Sequence, residues 1–210
     1  MSRLCLFTLI ASLAGCASPR VRYHTLVSPP AATQNSVRPA PFAIEVLPVG
    51  IPAQIDRAQL IVRLGEGDAL ALDNERWLSP LGDEFRSALS AGLAERLGAQ
   101  DISGLARADE KQAIRVWLQV RRFDTWPGQF VRLESDWSLS ARDGEGRTRW
   151  ICRSRLTQPA ERGDAGMFAA QRQAVVRLTD QIADTLRDWI SGGNGAPSAG
   201  DTTVSCRKPS

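Results

Sequence analysis

Few side chains in this 210-residue chain are of types that do chemistry, and the thiols come first: Cys5, Cys16, Cys152 and Cys206. Catalysis would need a nucleophile beside a base, paired carboxylates in a cleft, or a cluster of metal ligands. There is one histidine, His24, so neither a histidine-dependent triad nor a multi-histidine metal site can be assembled. His24 itself reads as an exposed residue or as the start of an edge strand. No phosphate loop or dinucleotide pattern occurs, because Gly65-Glu66-Gly67-Asp68 falls in an expected hairpin and does not open a helix. Glu134 and Asp136 lie two apart on one strand face, where cross-strand ion pairing suits them. These residues point to no enzyme, no metal and no cofactor.

Cys16 is different. It ends Leu13-Ala14-Gly15-Cys16, after Arg3 and the apolar run from Leu4 to Ala14. That run is far shorter than the ~20 residues of a spanning helix, and it has the charged start, apolar stretch and small residues of a signal peptide. The four residues look like a bacterial lipobox, whose cysteine becomes the lipidated first residue of the mature chain. Residues 1–15 are therefore expected to be a lipoprotein signal peptide. Residues 16–41 are expected to be a lipidated N-terminus and tether, rich in Pro, Ala, Ser and Thr from Val27 to Pro41. One acyl chain holds only marginally at about 0.8 kcal/mol per buried methylene, but two or three hold a protein firmly. Ala17 and Ser18 lack the aspartate that marks inner-membrane retention in enteric bacteria, which favours the outer membrane.

The charge balance, 26 Lys+Arg against 23 Asp+Glu, is not that of a nucleic-acid binder. With Cys5 in the leader and Cys16 acylated, Cys152 and Cys206 remain. An oxidising periplasm permits them to bridge and pin the tail; otherwise Cys152 is a small buried residue and Cys206 a loose thiol.

The elements that must position these residues follow from periodicity. "FAIEVLPV", "AQLIVRL" and "ALALDN" read as strands, with "GEGD" turning between the last two. From Pro80 to Gly98, Leu81, Phe85, Ala88, Leu89, Leu93 and Leu97 fall on one helical face, with Ser79 as N-cap and Pro80 at the first helical position. Three alternating strands follow, joined by Trp126-Pro127-Gly128-Gln129, a type II turn pattern, and by Asp143-to-Gly146. A long helix from Ala165 to about Ile190 carries Phe168, Val175, Leu178, Ile182, Leu186 and Trp189 on one side. The predicted fold is α+β: two layers, a largely antiparallel sheet of a six-strand set, and two main helices packed on one face. The folded domain spans 42–190, and 191–210 is expected as a disordered tail unless Cys206 is bridged.

Opposite the apolar stripe, the meander carries Arg115, Trp117, Arg121, Phe123, Arg132, Glu134, Asp136, Arg149, Ile151, Arg153 and Arg155. A solvated face with ion pairs is one reading. A partner contact through Arg115, Trp117, Arg121 and Phe123 is the other, since Trp and Arg dominate contact hot spots. Trp126, at the hairpin tip, either touches a partner or headgroups or folds back over the sheet edge.

The lipobox followed by "RYHTL", "IEVLPVGIPAQIDRAQLIVRL" from Ile44 to Leu64, "ERWLSPLGDEFRSALSAGLAERLG" from Glu75 to Gly98, and the "VWLQVRRFD" and "ESDWSL" strands together resemble the PqiC/YmbA-type family. These are auxiliary lipoproteins of ABC-type and MCE-domain lipid transport systems in Gram-negative bacteria. The resemblance implies a non-enzymatic periplasmic subunit, anchored in the outer membrane through Cys16. It implies self-association and docking on an MCE-domain tunnel protein in support of membrane integrity. By matching position, Pro52, Asp56, Arg57, Arg76 and Trp77 carry the family motifs, with a fold role favoured: Trp77 as a core anchor and Arg76 pairing Asp56. An alternative is a stand-alone lipoprotein that binds a small amphiphile between sheet and helices, where Ala88 and Gly92 leave room.

Overall fold

Leucines and phenylalanine at three- and four-residue spacing wind Leu81–Leu97 into helix α1. Leu81, Phe85, Leu89, Leu93 and Leu97 are all buried on its inner face. The helix begins one residue later than the sequence pattern suggests. Pro80 takes the N-cap position without a side-chain cap, because the Ser79 hydroxyl is engaged elsewhere, donating to Glu84 Oε1 at 2.6 Å. Gly98, at φ 64°, closes the helix.

The computed structural model describes residues 20–29, 38–105, 112–143, 146–193 and 203–208. The expected signal peptide, Cys16, the middle of the expected tether and the centre of the Asp143-to-Gly146 turn lie outside the described residues. Strands are β1 Arg22–His24, β2 Ala43–Val46, β3 Gln59–Arg63, β4 Ala69–Trp77, β5 Gln100–Asp101, β6 Ala113–Trp126, β7 Phe130–Asp143, β8 Gly146–Pro159 and β9 Val204–Arg207; the second helix, α2, is Asp164–Ile190. The α+β class holds, with both helices against the same sheet.

Two arrangements differ from the sequence reading. The strands do not form one set: β5-β2-β6-β7-β8-β9 make a six-stranded sheet, and β1-β4-β3 make a separate three-stranded one. β2 runs parallel to β6 and pairs with it only over Ala113–Val116, and α1 lies within the crossover that a parallel pair requires. Farther along β6, β3 packs against it with Leu60 and Val62 buried. Alternation reveals a strand but not its neighbour, so the split is invisible before tertiary contacts are counted.

The ends are the second correction. Arg22–His24, read as part of a tether, is a strand parallel to β4, with Arg22 opposite Glu75 and His24 opposite Trp77. Leu26 is 1% exposed. Within the expected disordered tail, β9 pairs with β8, Cys152 opposite Cys206. The two cysteines are bonded, with Cα atoms 4.1 Å apart, so the bridged alternative is the one this fold adopts. The core fills the space between the helices and the inner sheet face, where Trp137 is fully buried and donates from Nε1 to Ser154 Oγ at 2.8 Å.

Candidate functional site

The outer face of the six-stranded sheet is built in cross-strand rows. One runs Trp117, Ser138, Ile151, Arg207, and the next Gln119, Asp136, Arg153, Ser205. A third joins Glu45, Arg115, Ser140 and Arg149. Small serines alternate with large neighbours, so Ser138 and Ser140 are buried although they point away from the core. Trp117 stands above them, 36% exposed.

Ion pairs frame that indole. Arg115 Nε donates to Glu45 Oε2 at 2.7 Å. Asp136 receives Arg153 Nε at 2.6 Å and Arg121 Nε at 2.8 Å. The Arg153 bond, with Arg121 behind it, outweighs partial burial and holds the Asp136 carboxyl below its ordinary range. Asp136 in turn raises the Arg153 guanidinium. Such arginines are held in place with donors still turned to solvent, and an ordered guanidinium loses less side-chain entropy when a partner docks. Chemically this face can make contacts.

Phe123 does not belong to it. The register of β6 against β7 shifts between Val120 and Arg122, a bulge that inserts one residue and reverses which side chains point inward. Phe123 is consequently buried at 5% exposure, 5.0 Å edge-on from Phe85 and 6.4 Å from Trp77. Arg122 takes the outward place opposite Glu134. Trp126 is half-buried, packed at 4.6 Å on Phe130, with the Arg132 guanidinium 5.5 Å from each ring centroid. The indole thus lies against its own cross-strand neighbour at the hairpin tip. Gly128, at φ 70°, supplies the positive φ that the type II turn after Trp126 demands.

The motif residues serve several places. Pro52 accepts the Ile55 and Asp56 amides at 3.0 and 3.1 Å, forming the turn that leaves Asp56 and Arg57 exposed. Trp77 is buried in the core. Arg76 does not pair with Asp56: its buried Nε has no hydrogen-bond partner in the structure. The acid that matters is its neighbour Glu75, which accepts Arg22 Nε at 2.6 Å and meets His24 Nε2 at 2.5 Å, while the His24 ring stacks on Phe168 at 3.4 Å.

Glu84 is the other hub. Its Oε2 accepts Thr25 Oγ1 at 2.6 Å and the Leu26 N–H at 2.9 Å, and its Oε1 accepts the Ser79 N–H at 3.1 Å. In sequence it reads only as an acid suited to the positive end of a helix dipole. Its partners 58 and 59 positions away leave no local signal.

Gly92 does not supply the room expected of it for an amphiphile between sheet and helices. A Cβ on Gly92 would lie 2.9 Å from Thr179 Cγ2, so the small residue lets α1 and α2 approach and opens no cavity there. A cleft of about 240 Å³ does exist at another place, between Val62 and Leu72 of the small sheet, the Pro127–Gly128 turn and the start of α2. Among the described residues no cluster of three or more metal-ligating side chains occurs, and no helix is long and apolar enough to cross a membrane.

The sequence profile of the family described as ABC-type transport auxiliary lipoprotein component matches residues 24–183. A solved structure of an uncharacterized protein is 16% identical, with a TM-score of 0.59 over 80% of this chain and 99% of the other. A Xanthomonas campestris protein of the DUF330 family is 17% identical, with a TM-score of 0.49 over 79% and 90%. The first of these shows a shared fold. No curated protein matches the chain.

Proposed function

Because the chain belongs to the family of ABC-type transport auxiliary lipoprotein components, we propose that it is a lipidated, non-enzymatic periplasmic subunit of an MCE/ABC-type envelope lipid transport system. It is anchored at Cys16 in the outer membrane, self-associates, and docks on an MCE-domain tunnel protein, supporting membrane integrity. The observation that carries this is the family match over nearly the whole folded domain, from His24 at the end of β1 into α2. Two features support it. The lipobox precedes the fold by a few residues, and the outer sheet face presents Trp117 among Arg115, Arg121 and Arg153, a composition suited to protein contact. Ala17 and Ser18 after the lipobox favour the outer membrane.

The test is affinity purification of the lipidated protein from cross-linked envelopes, with mass spectrometry of what accompanies it. An MCE-domain protein together with ATPase or membrane subunits is the expected result. Recovery of this protein alone removes the transport assignment and leaves self-association.

A further inference from the structure

The entry point of the chain into the fold is fixed from three sides. Glu75 holds Arg22 and His24, Glu84 holds Thr25 and Leu26, and Arg22 also pairs with Asp164, the first residue of α2. β1 runs parallel to β4 with Arg22 opposite Glu75. Upstream residues therefore leave along the earlier half of β4, toward the β3–β4 hairpin. The Pro127–Gly128 turn and the start of α2 lie at this same end, since they share one cleft with Val62 and Leu72.

Only Ala17, Ser18 and Pro19 separate Cys16 from Arg20, the first residue described. Even fully extended, that leash spans about 14 Å. The 27-residue helix α2 is about 40 Å long by comparison, so an acylated Cys16 cannot present both ends of the domain to the lipid. Of the eight exposed large apolar side chains among the described residues, Leu64 at 65% and Leu70 at 47% belong to the β3–β4 hairpin and Val21 at 41% and Tyr23 at 60% to the start of the chain at β1, while Leu78, Leu105, Trp117 and Ile190 lie elsewhere. Singly such residues need no explanation, but Val21 and Tyr23 follow the anchor within a few residues, Leu64 and Leu70 lie on the hairpin toward which the upstream chain runs, and a tyrosine is suited to the headgroup region.

We propose that this end of the domain rests on the bilayer, with the β3–β4 hairpin inserting Leu64 and Leu70 at the lipid interface and the α2 C-terminus facing away. The inference rests on lipidation at Cys16. The hairpin also carries Glu66 and Asp68, exposed at its turn, while Arg20 is exposed beside β1. Mixed charge of this kind fits a zwitterionic, ammonium-bearing phospholipid surface and disfavours a strongly anionic one.

The experiment uses the full lipidated protein with the Cys152–Cys206 bridge intact, carrying a nitroxide at Leu70→Cys or at Ile190→Cys, in vesicles of phosphatidylethanolamine and phosphatidylcholine. The label at position 70 should lose accessibility to a water-soluble nickel chelate and gain accessibility to oxygen on vesicle binding, while the label at 190 keeps its aqueous values. Flotation with the vesicles and the mass of acylated Cys16 report the anchor separately. Acylated, floating protein with a water-like label at 70 overturns the orientation and leaves the anchor standing. Protein with unmodified Cys16 that does not float overturns both.

Discussion

The carboxylate of Glu84 in α1 holds the hydroxyl of Thr25, 59 positions earlier in the chain, at 2.6 Å. With the Leu26 amide on the same oxygen and both Ser79 donors on the other, one buried acid binds the N-terminal strand to the start of the helix. Replacing Glu84 by Ala leaves these donors without their acceptor. The expected cost is about 3 kcal/mol, seen in thermal unfolding as a fall of about 6–12 °C. An unchanged melting temperature would show that water replaces the carboxylate.

The bulge in β6 sorts two aromatics. Phe123→Ala should cost about 3–5 kcal/mol, because it empties the contact with Phe85 and Trp77. Trp117→Ala should change stability by about 0.5 kcal/mol or less, as an exposed site does, while weakening recovery of the transport partner. Urea titrations compare the two variants, and equal losses would place both side chains in the core.

The Cys152–Cys206 bond closes a chain separation of 54 residues. In the chain-entropy account, reduction costs about 4 kcal/mol. Because β9 touches the sheet along one edge only, dithiothreitol should first raise amide exchange over Val204–Arg207 and leave β7 protected. Uniform loss of protection across the sheet would instead mean that the strand and the core unfold together.

Asp101 sets an acid dependence. Burial pushes its carboxyl up, but the Ser103 and Ser90 hydroxyls at 2.5 and 2.6 Å, with the Ser103 and Val46 amides, outweigh it and leave it below the ordinary 3.8. In the folded state Asp101 thus binds its proton later, on acidification, than in the unfolded chain. Its stabilisation is complete well above pH 3.8 and is lost as pH falls through the lower folded value. Asp136, held down by Arg153 and Arg121, acts in the same direction. Urea midpoints measured from pH 7 to pH 3 should show Asp101→Asn less stable at neutral pH and with a flatter acid limb; a slope equal to wild type would discount the site.

Much of the fold was legible locally. The inner face of α1, the alternation of β7 and the Pro127–Gly128 turn each depend on residues within one or two helical turns or one hairpin of each other, which is the range over which periodicity and turn chemistry act. The outward face of the meander was only partly legible. Arg115, Trp117 and Arg121 lie outward as alternation predicts, but continuing that alternation past Val120 placed Phe123 on the wrong side, since a bulge leaves no local mark in "VRRFD".

Local sequence was therefore enough for the class of the molecule: an α+β domain with apolar stripes on its main helices and strands. Tertiary structure alone decided which elements meet. It split β1, β4 and β3 into their own sheet, drew Arg22–Leu26 out of the expected tether, placed Cys206 opposite Cys152, and made Glu75 and Glu84 the fasteners of the N-terminal strand. The difference is one of range. Propensity and periodicity act between near neighbours, whereas these contacts close more than fifty residues of chain, and burial of the whole core compensates the entropy of bringing them together.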